Sequence, residues 1–211
     1  EYKYKAEDPN FPEIPKITPG ESQPDSERVS SFVYPGGILA VHSSGRGKDA
    51  IWTALKNKNV YGTSGPRILL WFDLINSPQG KLPMGSEITM SQNPRFIVRA
   101  AGSFKQNPGC SKESIDSMSP NRLDYLCAGE CYNPTNEREI IEKLEIIKIT
   151  PQIYAGEAVS PLIQDPWMTM PCKGKGECII EFEDQNYTRD SIYYVRAIQE
   201  ATAAINGSPL S

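Results

Sequence analysis

The feature that most constrains the fold is a series of short apolar segments separated by turn residues. Apolar side chains alternate along one face in residues 68–74, 96–100 and 180–182, residues 144–149 are a further β-rich run, and residues 192–198 are apolar on both faces. A repeat of two residues is the period of a β-strand, and strands that are apolar on both faces are buried. The series therefore predicts an antiparallel β-sandwich-like domain over residues 66–211.

The composition agrees with a fold of strands and turns. The 211 residues include 16 Gly and 18 Pro, which favour short strands over long helices, and after residue 65 only residues 111–130 have a partly helical pattern. A chain of this length forms one large domain or two small ones. We therefore predict an α+β protein that is mostly β.

Charge and hydropathy exclude two broad classes of protein. The net charge is −4, whereas a general nucleic-acid-binding protein carries a basic excess. No apolar run reaches the roughly 18 residues that a membrane-spanning helix needs. We therefore expect neither a nucleic-acid partner nor a membrane span.

Residues 1–36 form a separate, Pro-rich region. It contains six prolines, begins with Glu1 rather than Met, and carries no signal peptide. Proline withholds a backbone donor and restricts the residue before it, so the region is not helical. We expect an extended arm on a partner surface or a disordered leader, at the start of a product that has been trimmed, cleaved or cloned as a fragment.

Residues 37–65 contain a strand–loop–helix–strand pattern. An apolar strand over residues 38–41 is followed by a short polar loop, an amphipathic helix near residues 48–58 and a second short strand at residues 59–62. Such alternation is typical of a piece of an α/β layer. We place a domain boundary near residue 65.

The polar loop after the first strand carries the candidate catalytic residues, His42 and Arg46. Ligands in α/β layers bind at the carboxyl ends of strands, and the N–H groups at a helix N-terminus favour an anion. The predicted anion-binding residues are Ser43, Ser44, Gly45 and Arg46. The alternative is a polar turn in which His42 bonds a neighbour and Arg46 pairs with an acid such as Asp49, and the pattern alone favours this alternative.

The five cysteines indicate disulfides. Cys172 and Cys178 flank a Gly-containing loop of five residues and should pair with each other, and two of Cys110, Cys127 and Cys131 should form a second bridge. A zinc site is the alternative, but the spacings and the single, distant His do not suit it. Disulfides imply an oxidising compartment, so we expect a periplasmic or secreted protein.

Long segments, in order along the chain, resemble the bacterial family known as domain of unknown function 3604. They are VYPGGILAVHSSGR at 33–46, AIWTAL at 50–55, VYGTSGPRI at 60–68, PMGSE at 83–87, GSFKQNPGC at 102–110, CAGECYNP at 127–134, DPW at 165–167, and residues 172–184 and 189–200. The family is similar to the polymerase-and-histidinol-phosphatase (PHP) superfamily, whose members are metal-dependent, phosphoesterase-like hydrolases on a distorted β/α barrel.

The resemblance implies an organisation that this chain contains only in part. Residues 37–62 would be the last strand and helix of the barrel, and the sandwich would be appended to it. The divalent metal of the parent protein would be held by His and Asp residues upstream of residue 1, so we expect this chain alone to bind no metal. The expected partner is that N-terminal PHP-like barrel chain or segment, and the family pattern continues past residue 211.

Two functions of different class follow. The first is the C-terminal portion or subunit of a PHP-like hydrolase, inactive alone, with His42 and Arg46 at the pocket edge. The second is a non-catalytic extracytoplasmic binding or structural module that recognises a partner or a polysaccharide. Exposed aromatic side chains around Trp167 and Tyr187 would favour the second function. We expect Trp167, which follows Pro166, to plug the core at a sheet end instead.

Overall fold

Strands dominate the computed structural model, which describes residues 37–127, 131–203 and 209–210. The predicted arm, residues 1–36, lies outside the described residues. All described residues belong to one compact unit, Pro35–Ser211. The predicted boundary near residue 65 lies within that unit and stays a prediction.

Each strand that the alternation predicts is present, and the structure adds strands that were not predicted, at residues 80–83, 104–108, 132–138, 163–171, 202–203 and 209–210. The strands are β1 (Ile38–Val41), β2 (Val60–Thr63), β3 (Leu69–Ser77), β4 (Gly80–Pro83), β5 (Arg95–Ala101), β6 (Phe104–Pro108), β7 (Tyr132–Arg138), β8 (Ile141–Ile149), β9 (Ile163–Pro171), β10 (Glu177–Glu183), β11 (Ile192–Gln199), β12 (Thr202–Ala203) and β13 (Pro209–Leu210). The helices are α1 (Lys48–Lys56), α2 (Lys112–Ser117) and α3 (Pro120–Cys127), with a 3₁₀ turn at Ser160–Leu162.

All strand pairings in the described residues are antiparallel. The two larger sheets have the orders β10-β5-β3-β4 and β11-β8-β9, and three two-stranded sheets pair β1 with β2, β6 with β7 and β12 with β13. The sheets formed by the described residues do not close into a barrel. The predicted fold class, α+β and mostly β with a sandwich-like domain, is confirmed.

The hydrophobic core lies between the two larger sheets. Val98 and Ala100 of β5 and Leu144 and Ile146 of β8 are fully buried and belong to one cluster. The intervening Arg99 of β5 is exposed, as the period of two requires. Burying one face of each sheet against the other is the packing of a β-sandwich.

Gly102 lies where the chain passes from one sheet to the next. It separates β5 from β6, and its N–H donates to Gly176 O at 2.8 Å. A Cβ at Gly102 would lie 2.0 Å from the backbone carbonyl oxygen of Glu139, which separates β7 from β8. Only glycine permits this close approach of two backbones, so the residue fixes where the strands change sheets.

The strand–helix–strand unit forms before the sandwich, as predicted. β1 pairs with β2 in antiparallel register, from Ile38 opposite Thr63 to Val41 opposite Val60, and α1 connects them. Lys58, with φ of 58°, takes the left-handed conformation just after the helix. Because the unit pairs β1 with β2 alone, the described residues do not show whether it ends a β/α barrel, and that assignment stays a prediction.

Candidate functional site

His42, the first candidate residue, is anchored to a neighbouring strand. Its backbone N–H donates to Asn59 O at 2.9 Å, and its side-chain Nε2 lies 2.8 Å from Leu70 O. The ring centroid lies 5.4 Å from that of Tyr61 and 5.8 Å from that of Trp71. The half-buried imidazole therefore joins the strand–helix–strand unit to β3.

The bond to Leu70 determines which nitrogen of His42 remains available. A carbonyl oxygen only accepts, so Nε2 carries a proton and donates it to Leu70 O. In the neutral ring, Nδ1 is then the nitrogen that can accept a hydrogen bond. This contact is the kind that the polar-turn alternative requires, and the catalytic role of His42 stays a prediction.

The loop after His42 is partly organised by its own hydrogen bonds. Ser43 Oγ donates to Gly45 O at 2.7 Å and lies 3.3 Å from Gly45 N. Ser44 and Arg46 are exposed. Within the described residues Arg46 makes no ion pair, so the alternative pairing with an acid such as Asp49 does not form there.

The N-terminus of α1 is open to solvent. Its N-cap residue, Gly47, offers no side-chain hydrogen bond to the first turn, so backbone N–H groups there remain available to water or an anion. The exposed Asp49 lies in that first turn, and its charge opposes anion binding there. Anion binding at Ser43–Arg46 stays a prediction.

The cysteines form two disulfides. Cys172 is joined to Cys178, and Cys110 is joined to Cys131. The fifth sulfur, Cys127 Sγ, lies 2.6 Å from Cys131 Sγ and 3.6 Å from Cys110 Sγ. Both pairings are among those that the sequence predicts, and disulfides are typical of oxidising compartments.

The described residues do not supply the donor set of a hydrolase metal centre. Their one group of three potential metal-ligating side chains is Cys110, Cys127 and Cys131. Two of these sulfurs are joined in a disulfide, whereas the thiolate is the form that binds metal. The expectation that the His and Asp metal ligands lie upstream of residue 1 stays a prediction.

A polar pocket that sequence reasoning missed opens at one end of the sandwich. Its volume is about 430 Å³, within the roughly 300–1,000 Å³ of small-molecule sites. β8 and β9 form one wall, with Lys148 opposite Gln164 in the strand register. The other wall is the loop between β10 and β11, which contributes Asp184 and Arg189.

A buried ion pair lies at the base of this polar pocket. Lys148 is 8% exposed and Asp184 is 0% exposed, and Lys148 Nζ donates to Asp184 Oδ2. The same Oδ2 accepts from Tyr193 OH at 2.5 Å, and Asp184 Oδ1 accepts from Asn186 N at 3.1 Å. Lys148 Nζ, Tyr193 OH and Asn186 N thus each have an acceptor on Asp184, as burial of charge demands.

The network shifts two pKa values in opposite directions. Burial alone would raise the pKa of Asp184. The hydrogen bonds from Lys148, Tyr193 and the Asn186 N–H, together with the charge of Lys148, outweigh burial, so the pKa of Asp184 is lowered. Burial, and then the bond to Asp184, raise the pKa of Tyr193. Asp184 is therefore a carboxylate and Tyr193 a neutral donor near neutral pH.

Trp167 lines the polar pocket and also packs on the core. Its ring lies 6.2 Å from Phe182 and 6.0 Å from Tyr193 between centroids, and Lys148 Nζ lies 5.2 Å from its centroid. Trp167 is half-buried rather than exposed, in agreement with the expected core plug. The cluster of exposed aromatic residues around Trp167 and Tyr187 does not form, because Tyr187 is also half-buried.

A larger, mostly apolar groove of about 980 Å³ lies elsewhere in the same unit. It is lined by residues of β2, β3, β5 and β11 and by residues 83–90. Lys58 and Glu87 form an exposed ion pair among its lining residues. Neither this groove nor the polar pocket is lined by a residue of the His42–Gly47 loop.

One sequence signal could have located the polar pocket. Lys148 is the single charged residue in the apolar run of residues 146–149, and a lysine in a buried strand needs a counter-charge. Asp184 comes directly after β10, but no sequence pattern shows that the two residues meet. The contact depends on how the two larger sheets pack.

The fold and sites define a mostly β, antiparallel, disulfide-bonded protein with a polar pocket in its sandwich. Among the described residues, none of the helices is long and apolar enough to cross a bilayer. Residues 6–108 match the model of the family described as "Protein of unknown function (DUF3604)", which supports the family resemblance over that part of the chain. No curated protein and no solved structure matches this sequence.

Proposed function

We propose that this chain is the C-terminal portion or subunit of a PHP-like, metal-dependent hydrolase and has no activity alone. The observation that carries the proposal is the match of residues 6–108 to the DUF3604 family model, together with the similarity of that family to the PHP superfamily. In this proposal the divalent metal is held by polypeptide N-terminal to residue 1, since the described residues do not supply a His and Asp ligand set.

The loop from His42 to Gly47 is the part of this chain that we assign to the edge of the substrate pocket. The exposed guanidinium of Arg46 and the open N-terminus of α1 both favour a phosphate or carboxylate group. His42 is held by its bond to Leu70 O, so it acts in this proposal as a positioned polar group beside the anion rather than as a metal ligand.

A periplasmic or secreted location completes the proposal. The two disulfides are stable where thiols are kept oxidised. Of the two, Cys172–Cys178 closes the loop just before β10, and Cys110–Cys131 joins the ends of the segment that carries α2 and α3.

The experiment begins with protein purified from its natural source. We expect mass spectrometry to find the barrel polypeptide with this chain, and metal analysis to find a divalent ion. We also expect hydrolysis of phosphate monoesters that a chelator abolishes, while residues 1–211 alone show no turnover. A natural protein without metal-dependent hydrolysis would refute the proposal.

Two arginine variants distinguish an effect of the His42–Gly47 loop on substrate binding from a general effect of positive surface charge. Arg46→Ala should raise KM for an anionic substrate roughly ten- to hundredfold, because a charge-assisted hydrogen bond contributes about 1.5–3 kcal/mol. Arg67→Ala is the matched control, since Arg67 is also exposed and makes no ion pair with a described residue. Equal effects of the two variants would contradict the role of the loop.

A non-catalytic binding module is the second candidate function. The polar pocket between β8, β9 and the β10–β11 loop favours it, because a site of this size with a buried charge pair at its base suits a small ligand. In this reading the sandwich binds its ligand without any metal centre.

A further inference from the structure

We propose that the polar pocket binds a neutral, polyhydroxylated ligand of the sugar class. This inference deepens the second candidate function and does not depend on the hydrolase proposal. It follows from three properties of the pocket: internally balanced charges at its base, uncommitted hydroxyl and amide groups at its rim, and an aromatic side chain in its wall.

The charges of the pocket are already neutralised. Lys148 is paired with Asp184, and Arg189 holds Glu157 through two parallel bonds, from Nη1 to Oε1 at 2.9 Å and from Nη2 to Oε2 at 3.1 Å. An incoming anion would have to compete with two carboxylates, and an incoming cation with an ammonium and a guanidinium. An uncharged ligand avoids both costs.

Polar side chains line the rim of the pocket. The side chains of Thr150, Gln164, Asn186 and Thr188 line the pocket and make no hydrogen bond with another described residue. Hydroxyl and amide groups both donate and accept. Sugar hydroxyls also do both, so these four side chains can pair with a ring of hydroxyl groups in either direction.

Trp167 adds the apolar component of the site. Its indole lines the pocket and is held by its packing against Phe182 and Tyr193. A sugar ring has an apolar face of C–H groups, and a fixed aromatic ring binds such a surface without losing further side-chain freedom. Polar groups around one aromatic wall are the chemistry that a monosaccharide or the end of a glycan requires.

The test is a titration of the ¹⁵N-labelled chain followed by nuclear magnetic resonance. The chain has three Trp residues, and the Trp167 indole N–H signal is the one that Trp167→Phe removes. The probes are glucose, galactose, mannose, xylose and N-acetylglucosamine, with inorganic phosphate and acetate as charged comparisons. We expect at least one neutral sugar to move the Trp167 signal and to leave those of Trp52 and Trp71 in place.

A pair of glutamine variants makes the test specific. Gln164→Ala should weaken binding of the active sugar roughly five- to tenfold, the value of one hydrogen bond. Gln79→Ala, at the exposed turn between β3 and β4, should leave the affinity unchanged. The amide spectrum of each variant shows that the fold is intact.

Three outcomes would overturn the inference. The first is that none of the five sugars moves the Trp167 signal. The second is that phosphate or acetate moves it and the sugars do not, which would make the pocket an ion site. The third is that Gln164→Ala and Gln79→Ala bind the sugar equally. None of these outcomes bears on metal-dependent hydrolysis by the natural protein, so the two proposals fail separately.

Discussion

The buried pair of Lys148 and Asp184 allows the sharpest test of how this fold is stabilised. Asp184→Asn keeps the shape of the side chain and removes its charge. Asp184 Oδ2 accepts from Lys148 and Tyr193, and Oδ1 accepts from the Asn186 N–H. In either orientation the NH₂ group of the new amide therefore faces a donor, and the lysine charge stays buried without a counter-charge.

The expected loss of stability is large. Removing one partner of a buried ion pair costs about 3–5 kcal/mol, and for a chain of this size each kcal/mol lowers Tm by about 2–4 °C. We therefore expect Tm to fall by roughly 6–20 °C. Lys148→Met should lower the free energy of unfolding less than Asp184→Asn does, because Tyr193 and the Asn186 N–H still donate to the remaining Asp184 carboxylate.

Asp165→Asn is the matched control. Asp165 is paired with Arg196, but the two side chains are 37% and 44% exposed, and such surface pairs contribute about 0–1 kcal/mol. Urea unfolding followed by tryptophan fluorescence measures all three variants. The reasoning fails if Asp184→Asn and Asp165→Asn change the free energy of unfolding by the same amount, or if Lys148→Met is the most damaging of the three.

Three further predictions concern pH, sulfur and backbone packing. The pKa of Asp184 is lower in the folded protein than in the unfolded chain. Its contribution to stability is therefore fully present above the unfolded pKa of about 3.9 and is lost as the pH falls through the folded pKa. Between about pH 5 and 2, the free energy of unfolding should depend less on pH in Asp184→Asn than in the unaltered protein. Replacing both Cys172 and Cys178 by Ser should lower the free energy of unfolding by about 2–3 kcal/mol, the value for a short closed loop; equal unfolding midpoints for the double variant and the oxidised protein would refute this. Gly102→Ala should lower the free energy of unfolding by about 1–3 kcal/mol, because the new Cβ meets a backbone carbonyl. Gly65→Ala is the control, since a Cβ there meets no atom within 4 Å. Equal urea midpoints for the two alanine variants would contradict the steric argument.

Part of the strand pattern was predictable, because burial imposes alternation on each strand separately. The expected burial of residues 192–198 on both faces is wrong, since Ile192 and Tyr194 of the edge strand β11 are exposed. Leu70 is buried and Phe72 packs on the core, as the alternation of residues 68–74 requires. The helix after Gly47 was likewise readable from its apolar spacing. The end of this helix was harder to predict. α1 ends at Lys56 because Lys58 takes a left-handed conformation, which the spacing of apolar residues does not indicate.

The candidate site was harder to predict because its contacts join distant parts of the chain. The sequence predicts a polar loop containing His42, but the bond from its Nε2 to Leu70 O spans 28 residues. The polar pocket is a stronger example, since Lys148 and Asp184 are 36 residues apart. A charged residue inside an apolar strand indicates that a partner exists and does not indicate which residue it is.

Local chemistry thus decided much about this protein from the sequence alone. The period of two fixes which side chains of each strand face the core, and the loop of five residues between Cys172 and Cys178 brings these two cysteines within reach of each other. Tertiary packing decided the rest. The pairing of β6 with β7 brings Cys131 beside Gly109, next to Cys110, and so decides which two of Cys110, Cys127 and Cys131 are joined. Lys148 and Asp184 are 36 residues apart in the chain, and only the packing of the two larger sheets brings them together.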